Sequence, residues 1–167
     1  SVTADDFATG TRAALAGGTT TVIDFATQFH GESMARGLER WHEKADGNCA
    51  IDYGFHMALT EWNDKLRAEM EEVVAGGVSS FKMYMAYKDN MMVQEDQIYQ
   101  ALEESKRLGA TIGFHCENGL LIDVLVRRER ALGHLSPYYH QLTRPDELEE
   151  ERSEERRVGK ECRSRWS

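Results

Sequence analysis

Hydrophobic and polar positions along the chain fall into two alternating patterns. Short runs rich in β-branched and aromatic residues occupy Thr19–Phe25, Ile51–Met57, Phe81–Ala86 and Thr111–Cys116, the signature of strands packed on an apolar layer. Between and around them the apolar residues recur at helical spacing, over Ala4–Ala16, Glu32–Asp46, Glu61–Ala75, Gln94–Leu108 and Leu120–Leu132. Gly17-Gly18 marks the end of the first of these helices. The strand-to-strand interval is about thirty residues, the length of a βα unit. Strands alternating with helices imply a parallel sheet. Four such units suit either part of a (β/α)8 barrel or one side of a doubly wound sheet. No glycine-rich phosphate loop follows any strand, which weighs against the nucleotide-binding version. The expected fold is α/β, a partial (β/α)8 TIM barrel of about four βα units over residues 1–151. A closed barrel needs roughly 250 residues.

Side chains alternate between the faces of a strand. Phe81, Met83 and Met85 should face the helices, with Lys82, Tyr84 and Ala86 on the other side. Ile112 and Phe114 should likewise face the helices, leaving Thr111, Gly113 and His115 toward the barrel axis. His115 then stands at the C-terminal end of its strand, where barrel active sites are built. A lysine in an apolar strand is costly to bury charged, and burial favours its neutral amine. A neutral amine can add carbon dioxide to form a carbamate, an anionic two-oxygen ligand able to bridge two metal ions; imidazole is a standard zinc ligand. The bland alternatives are a lysine snorkelling at the strand rim and a hydrogen-bonded core histidine. His56 reads as one residue off the lysine-bearing face and therefore as structural. His30, His42, His134 and His140 read as surface residues. Glu117 and Asn118 either orient His115 or cap the helix that follows, and capping is favoured.

Composition narrows the class. The chain has 167 residues, 29% charged and 41% hydrophobic, as expected of a folded soluble domain. No apolar run approaches the ~20 residues that span a bilayer, and the first residues lack the pattern of a signal peptide. Neither a membrane nor nucleic acid is expected as a partner, because the body of the chain is acidic. Cys49, Cys116 and Cys162 form no disulfide or zinc-knuckle spacing, so a reducing, cytoplasmic setting is expected. Residues 152–167 carry six Lys/Arg against three Glu and no apolar period. They look like an in-frame translation of a sequencing-library adapter, and are expected to be a disordered, non-native tail.

The motifs themselves carry a resemblance. Ser80-Phe81-Lys82-Met83-Tyr84-Met85-Ala86-Tyr87-Lys88 resembles the carboxylated-lysine motif of the dihydropyrimidinase/hydantoinase family. Phe114-His115-Cys116-Glu117-Asn118-Gly119 is similar to its H-A-E-N-G motif, with Cys116 where alanine is common. Gly10–Phe25 resembles the family's early helix–strand unit, and Leu142–Glu149 the stretch after its fifth strand. The four follow in the family's order.

The resemblance implies a cyclic amidohydrolase that opens 5,6-dihydropyrimidines or hydantoins to N-carbamoyl amino acids. It implies two zinc ions, or other divalent metals, bridged by carboxylated Lys82, with His115 as a ligand and Tyr87 as donor to the developing oxyanion. It also implies that Lys88–Asp96 either covers the substrate ring or is an ordinary connection. The partner would be a small cyclic ureide or amide, and the whole enzyme a homotetramer or homodimer. The family's paired-histidine motif, a further histidine and a catalytic aspartate have no counterpart in residues 1–151, so an internal stretch of a longer enzyme, inactive alone, is expected. A non-catalytic binding or assembly relative, or an allantoinase-like enzyme, is the alternative.

Overall fold

The structure is a computed structural model that describes residues 3–153. Helices and strands alternate as α1 (Phe7–Ala16), β1 (Thr21–Gln28), α2 (Met34–Ala45), β2 (Asp52–Leu59), α3 (Asp64–Ala75), β3 (Ser80–Tyr84), α4 (Glu95–Leu108), β4 (Thr111–His115), α5 (Gly119–Ala131) and α6 (Tyr138–Leu142). The sheet order is β1-β2-β3-β4. β1–β2 and β2–β3 are parallel. Backbone bonds Thr111 N–Ser79 O and Met85 N–His115 O advance the same way along β3 and β4. Strand order that follows chain order contains no switch point, which separates this sheet from a doubly wound one. The fold is the expected partial (β/α)8 barrel.

Boundaries moved for local reasons. Thr19 N bonds Ala14 O, and Gly18 takes φ 89°, so the chain leaving α1 is still in its C-terminal turn. The strand therefore starts at Thr21 and runs on to Gln28, instead of spanning Thr19–Phe25. Gln28 is fully buried because its amide is spent on Phe29 O, Glu32 O and Glu61, while its oxygens accept from Thr60. Ser33 and Asn63 cap α2 and α3 through their side chains. Glu61, expected inside a helix, instead accepts from the Gly31 amide at 2.6 Å. α6 was not anticipated; five residues behind Pro137 carry too little period to read.

By contacts the chain falls into two compact units. The first comprises the described residues up to Met83 with Glu95–Gly113, and the second Tyr84–Gln94 with the described residues from Phe114 on. In the first, one sheet face is sealed by helices: Phe55, Met57, Leu59, Phe81, Met83 and Ile112 are buried with Met34, Leu66, Met70 and Ala101. Gly37 of α2 lies so close to β1 that an added Cβ would sit 3.1 Å from Thr27 O. The opposite face is open, with Ile23 56% and Phe25 39% exposed. Register corrects one expectation here. Ala58 pairs with Lys82, so His56, two residues earlier, shares the face of Lys82 instead of lying off it. There its ring packs on Phe25, with centroids 5.0 Å apart, and its Nδ1 bonds the Ser80 hydroxyl.

In the second unit, residues 147–153 are helical. Arg152 and Ser153 of the expected tail end that stretch; 154–167 lie outside the described residues. No helix among the described residues is long and apolar enough to cross a membrane.

Candidate active site

β3 ends at Tyr84, two residues short of the expected Ala86, because the chain turns sharply at Tyr87. Tyr87 has φ 65° and Asp89 φ 61°, the left-handed region that a bulky residue enters at a cost of about 1–3 kcal/mol. The turn is held by its own carbonyl: the amides of Asn90, Met91 and Met92 all donate to Tyr87 O. Met92 then bridges back to Tyr84, and Val93 is buried. The methionine-rich loop is thus partly built into the unit, with Lys88, Asp89 and Asn90 at its exposed tip.

The consequence is where the Tyr87 ring goes. It stacks on His115 at 5.1 Å and 23°, with its hydroxyl 3.2 Å from His115 Nε2. Glu117 Oε2 lies 2.7 Å from the same nitrogen. An ionised carboxylate only accepts, so Nε2 carries the proton and donates to Glu117. Tyr84 closes the group, 5.9 Å from His115 and 6.0 Å from Tyr87 between ring centroids. Burial, and secondarily Tyr87, raises the Tyr84 phenol above its ordinary pKa.

Asn118 caps α5, accepting from Leu121 N at 3.1 Å. The expectation that Glu117 and Asn118 both serve as caps holds for Asn118 only; Glu117 orients the histidine. At Gly119 an added Cβ would sit 2.7 Å from Ala86 Cα and 3.0 Å from Met85 O. Only glycine lets α5 start this close to the Tyr87 turn. Beside the turn lies an open groove lined by Tyr87, Lys88, Glu117, Ile122, Asp123 and Arg144.

Tyr87 and His115 are therefore brought together in the second unit. Lys82 belongs to the first unit. It is half-buried on the open face, with its Cδ 3.9 Å from where a Gly113 Cβ would be. Sequence reasoning missed Arg144, whose Nε is 3.9 Å from Glu117 Oε1. It lies in the Leu142–Glu149 motif, but nothing periodic links it to Glu117.

The donor at the strand end fits a borderline divalent ion: an imidazole whose far nitrogen is held by a carboxylate, the usual arrangement around a ligating histidine. One such donor does not close a site. Among the described residues no group of three or more His, Cys, Asp or Glu is placed to hold an ion.

A parallel (β/α) sheet with a carboxylate-held histidine at the end of its fourth strand is the architecture of a barrel hydrolase. The sequence profile of the amidohydrolase family matches residues 1–145, and the chain belongs to that family, whose members are generally metal-dependent. It is 46% identical over 151 residues to the D-hydantoinase of Geobacillus stearothermophilus, covering 90% of this chain and 32% of that protein. It is 47% identical over 148 residues to the dihydropyrimidinase of Rattus norvegicus, covering 88% and 28%. The crystal structure of D-hydantoinase from Bacillus sp. AR9 superposes with a TM-score of 0.89 at 44% identity, over 91% of this chain and 34% of that one. The chain thus spans about a third of the length of the relatives it matches.

Proposed function

We propose that the chain is the part of a cyclic amidohydrolase that carries Lys82, His115 and Tyr87, and that the whole enzyme hydrolyses the ring amide of dihydropyrimidines or hydantoins to N-carbamoyl amino acids. The observation that carries this reading is the Tyr87–His115–Glu117 group. Glu117 occupies Nε2, so His115 offers Nδ1 to an ion. Lys82, as its carbamate, is the second donor from this chain, and the remaining ligands are drawn from the parts of the relatives that it does not span. Two zinc or similar divalent ions, when bound in the whole enzyme, would supply Lewis-acid polarisation of the ring carbonyl and activation of water.

This chain's residues then do three things. Glu117 fixes the imidazole. The left-handed turn at Tyr87 fixes its hydroxyl as a preorganised donor, aimed at the oxygen where charge develops. Tyr84 packs beside Tyr87 and His115 and completes the aromatic group around that hydroxyl. Residues 1–151 are the amidohydrolase part, and 152–167 are a non-native tail that contributes nothing to it. The assembled enzyme is a cytoplasmic homotetramer or homodimer.

The test is a chimera in which residues 1–151 replace the matching third of the Geobacillus D-hydantoinase. It should open hydantoin and dihydrouracil and leave allantoin largely untouched, while the 167-residue chain alone should show no turnover. A folded, metal-loaded chimera inert on both rings would overturn the reading, and preference for allantoin would move it to the allantoinase-like alternative.

A further inference from the structure

Glu117 and Asn118, the second and third residues after His115, are tied one by one to a single distant segment. Glu117 divides its oxygens: Oε2 accepts from His115 Nε2 at 2.7 Å, and Oε1 faces Arg144 Nε at 3.9 Å. Arg144 is itself oriented, its Nη1 lying 3.4 Å from His140 O and from Thr143 Oγ1. Thr143 is 3% exposed. Asn118 is 6% exposed and uses every polar group it has. Its amide donates to Leu148 O at 3.1 Å, its side-chain NH2 to Glu151 Oε2 at 2.8 Å, and its Oδ1 accepts from Leu121 N.

Without its partners the Glu117 side chain, 18% exposed, regains rotamer freedom, and His115 loses the acceptor that sets its ring. A charge held beside the second carboxylate oxygen removes that freedom.

We infer that residues 144–151 form a brace on the His115–Asn118 turn, with Arg144 as a positioning residue that acts on His115 through Glu117. This rests on the proposed function for its purpose, but not for its test. The Leu142–Glu149 motif thereby gains a role: it supplies no group to the reacting atoms, and instead it fixes the one histidine donor this chain contributes.

The experiment measures hydrogen exchange of the His115 ring Nε2–H by NMR in the 167-residue chain, where neither metal nor substrate enters. Arg144→Met should speed exchange by about threefold to tenfold, the range of a partly buried ion pair whose loss frees the carboxylate. Arg144→Lys should restore most of the protection. Glu129→Gln, which alters the His134 pair elsewhere in the unit, should leave the His115 proton unchanged. Unchanged exchange in Arg144→Met overturns the brace, as does equal loss in Glu129→Gln. Should Arg144→Met fail to fold, Glu151→Ala at the exposed end of the segment gives the second reading: faster exchange at His115 and at the Asn118 side-chain amide supports the brace, and no change at either refutes it. A chimera that proves inert while the wild-type chain keeps this exchange pattern faults the proposed function and leaves the brace standing.

Discussion

The α3–β3–α4 layer and the strand-end turn around Tyr87 are held by opposite means. In the layer, Leu66, Met70, Phe81 and Met83 are nearly or fully buried, and position follows from burying area. Its buried carboxylate anchors a charged network: Glu104, 3% exposed at its side chain, takes Arg67 at 3.0 Å and Arg107 at 2.6 Å, with Glu71 beyond. Around Tyr87 little is fully buried. Position comes from a left-handed backbone, a backbone contact that excludes any Cβ, and a line of hydrogen bonds and charges. Apolar layers tolerate substitution that conserves volume. A turn held by individual polar partners tolerates almost none, which is where a reactive group benefits from being fixed.

That contrast can be broken at either end. In the chimera, Tyr87→Phe keeps the ring and its stacking and removes only the donor. Its kcat should fall by about 10²–10³, the usual loss for one oxyanion donor, with KM little changed. In the layer, Leu66→Ala should cost about 3 kcal/mol by denaturant unfolding of the chain, without moving the His115 ring resonances.

Between those extremes sits Gly119. Gly119→Ala forces backbone against Ala86 and should cost about 2 kcal/mol. Unlike Leu66→Ala, it should shift the Tyr87 and His115 signals. A neutral Gly119→Ala would mean the close approach is not what positions the turn.

The smallest effect is in the polar network. Arg107, and then Arg67 against the cost of burial, holds the Glu104 carboxyl below its ordinary range. A depressed carboxylate contributes stability that is present above the unfolded glutamate pKa and is lost as pH falls through the folded one. Glu104→Gln should therefore cost about 1.5 kcal/mol near neutrality and flatten the fall in stability on acidification. Parallel stability–pH curves for the two proteins would remove Glu104 from the account.

What the sequence made legible divides along the same line. The four strands, helices α1 to α5 and the burial of Phe81, Met83 and Ile112 follow from period and β-branching, because burial is a property of each position. The pairing of Tyr87 with His115 was reachable only through motif resemblance. Its cause is a φ of 65° at a tyrosine, which no propensity announces. His56 was misplaced because a strand register, set by Ala58 against Lys82, is a relation between segments. Arg144 escaped for the same reason, reaching Glu117 across α5 and α6.

The proposed function rests most heavily on Lys82 serving the whole enzyme's metal centre as a carbamate. Reconstituting the chimera with zinc and 13C-labelled bicarbonate tests it directly by 13C NMR. The account predicts a single carbamate carbon resonance that disappears in Lys82→Ala together with bound metal and turnover, with turnover partly restored to Lys82→Ala by a short-chain carboxylic acid. An active wild-type chimera without that resonance, or a Lys82→Ala protein with unchanged metal content and turnover, would contradict it.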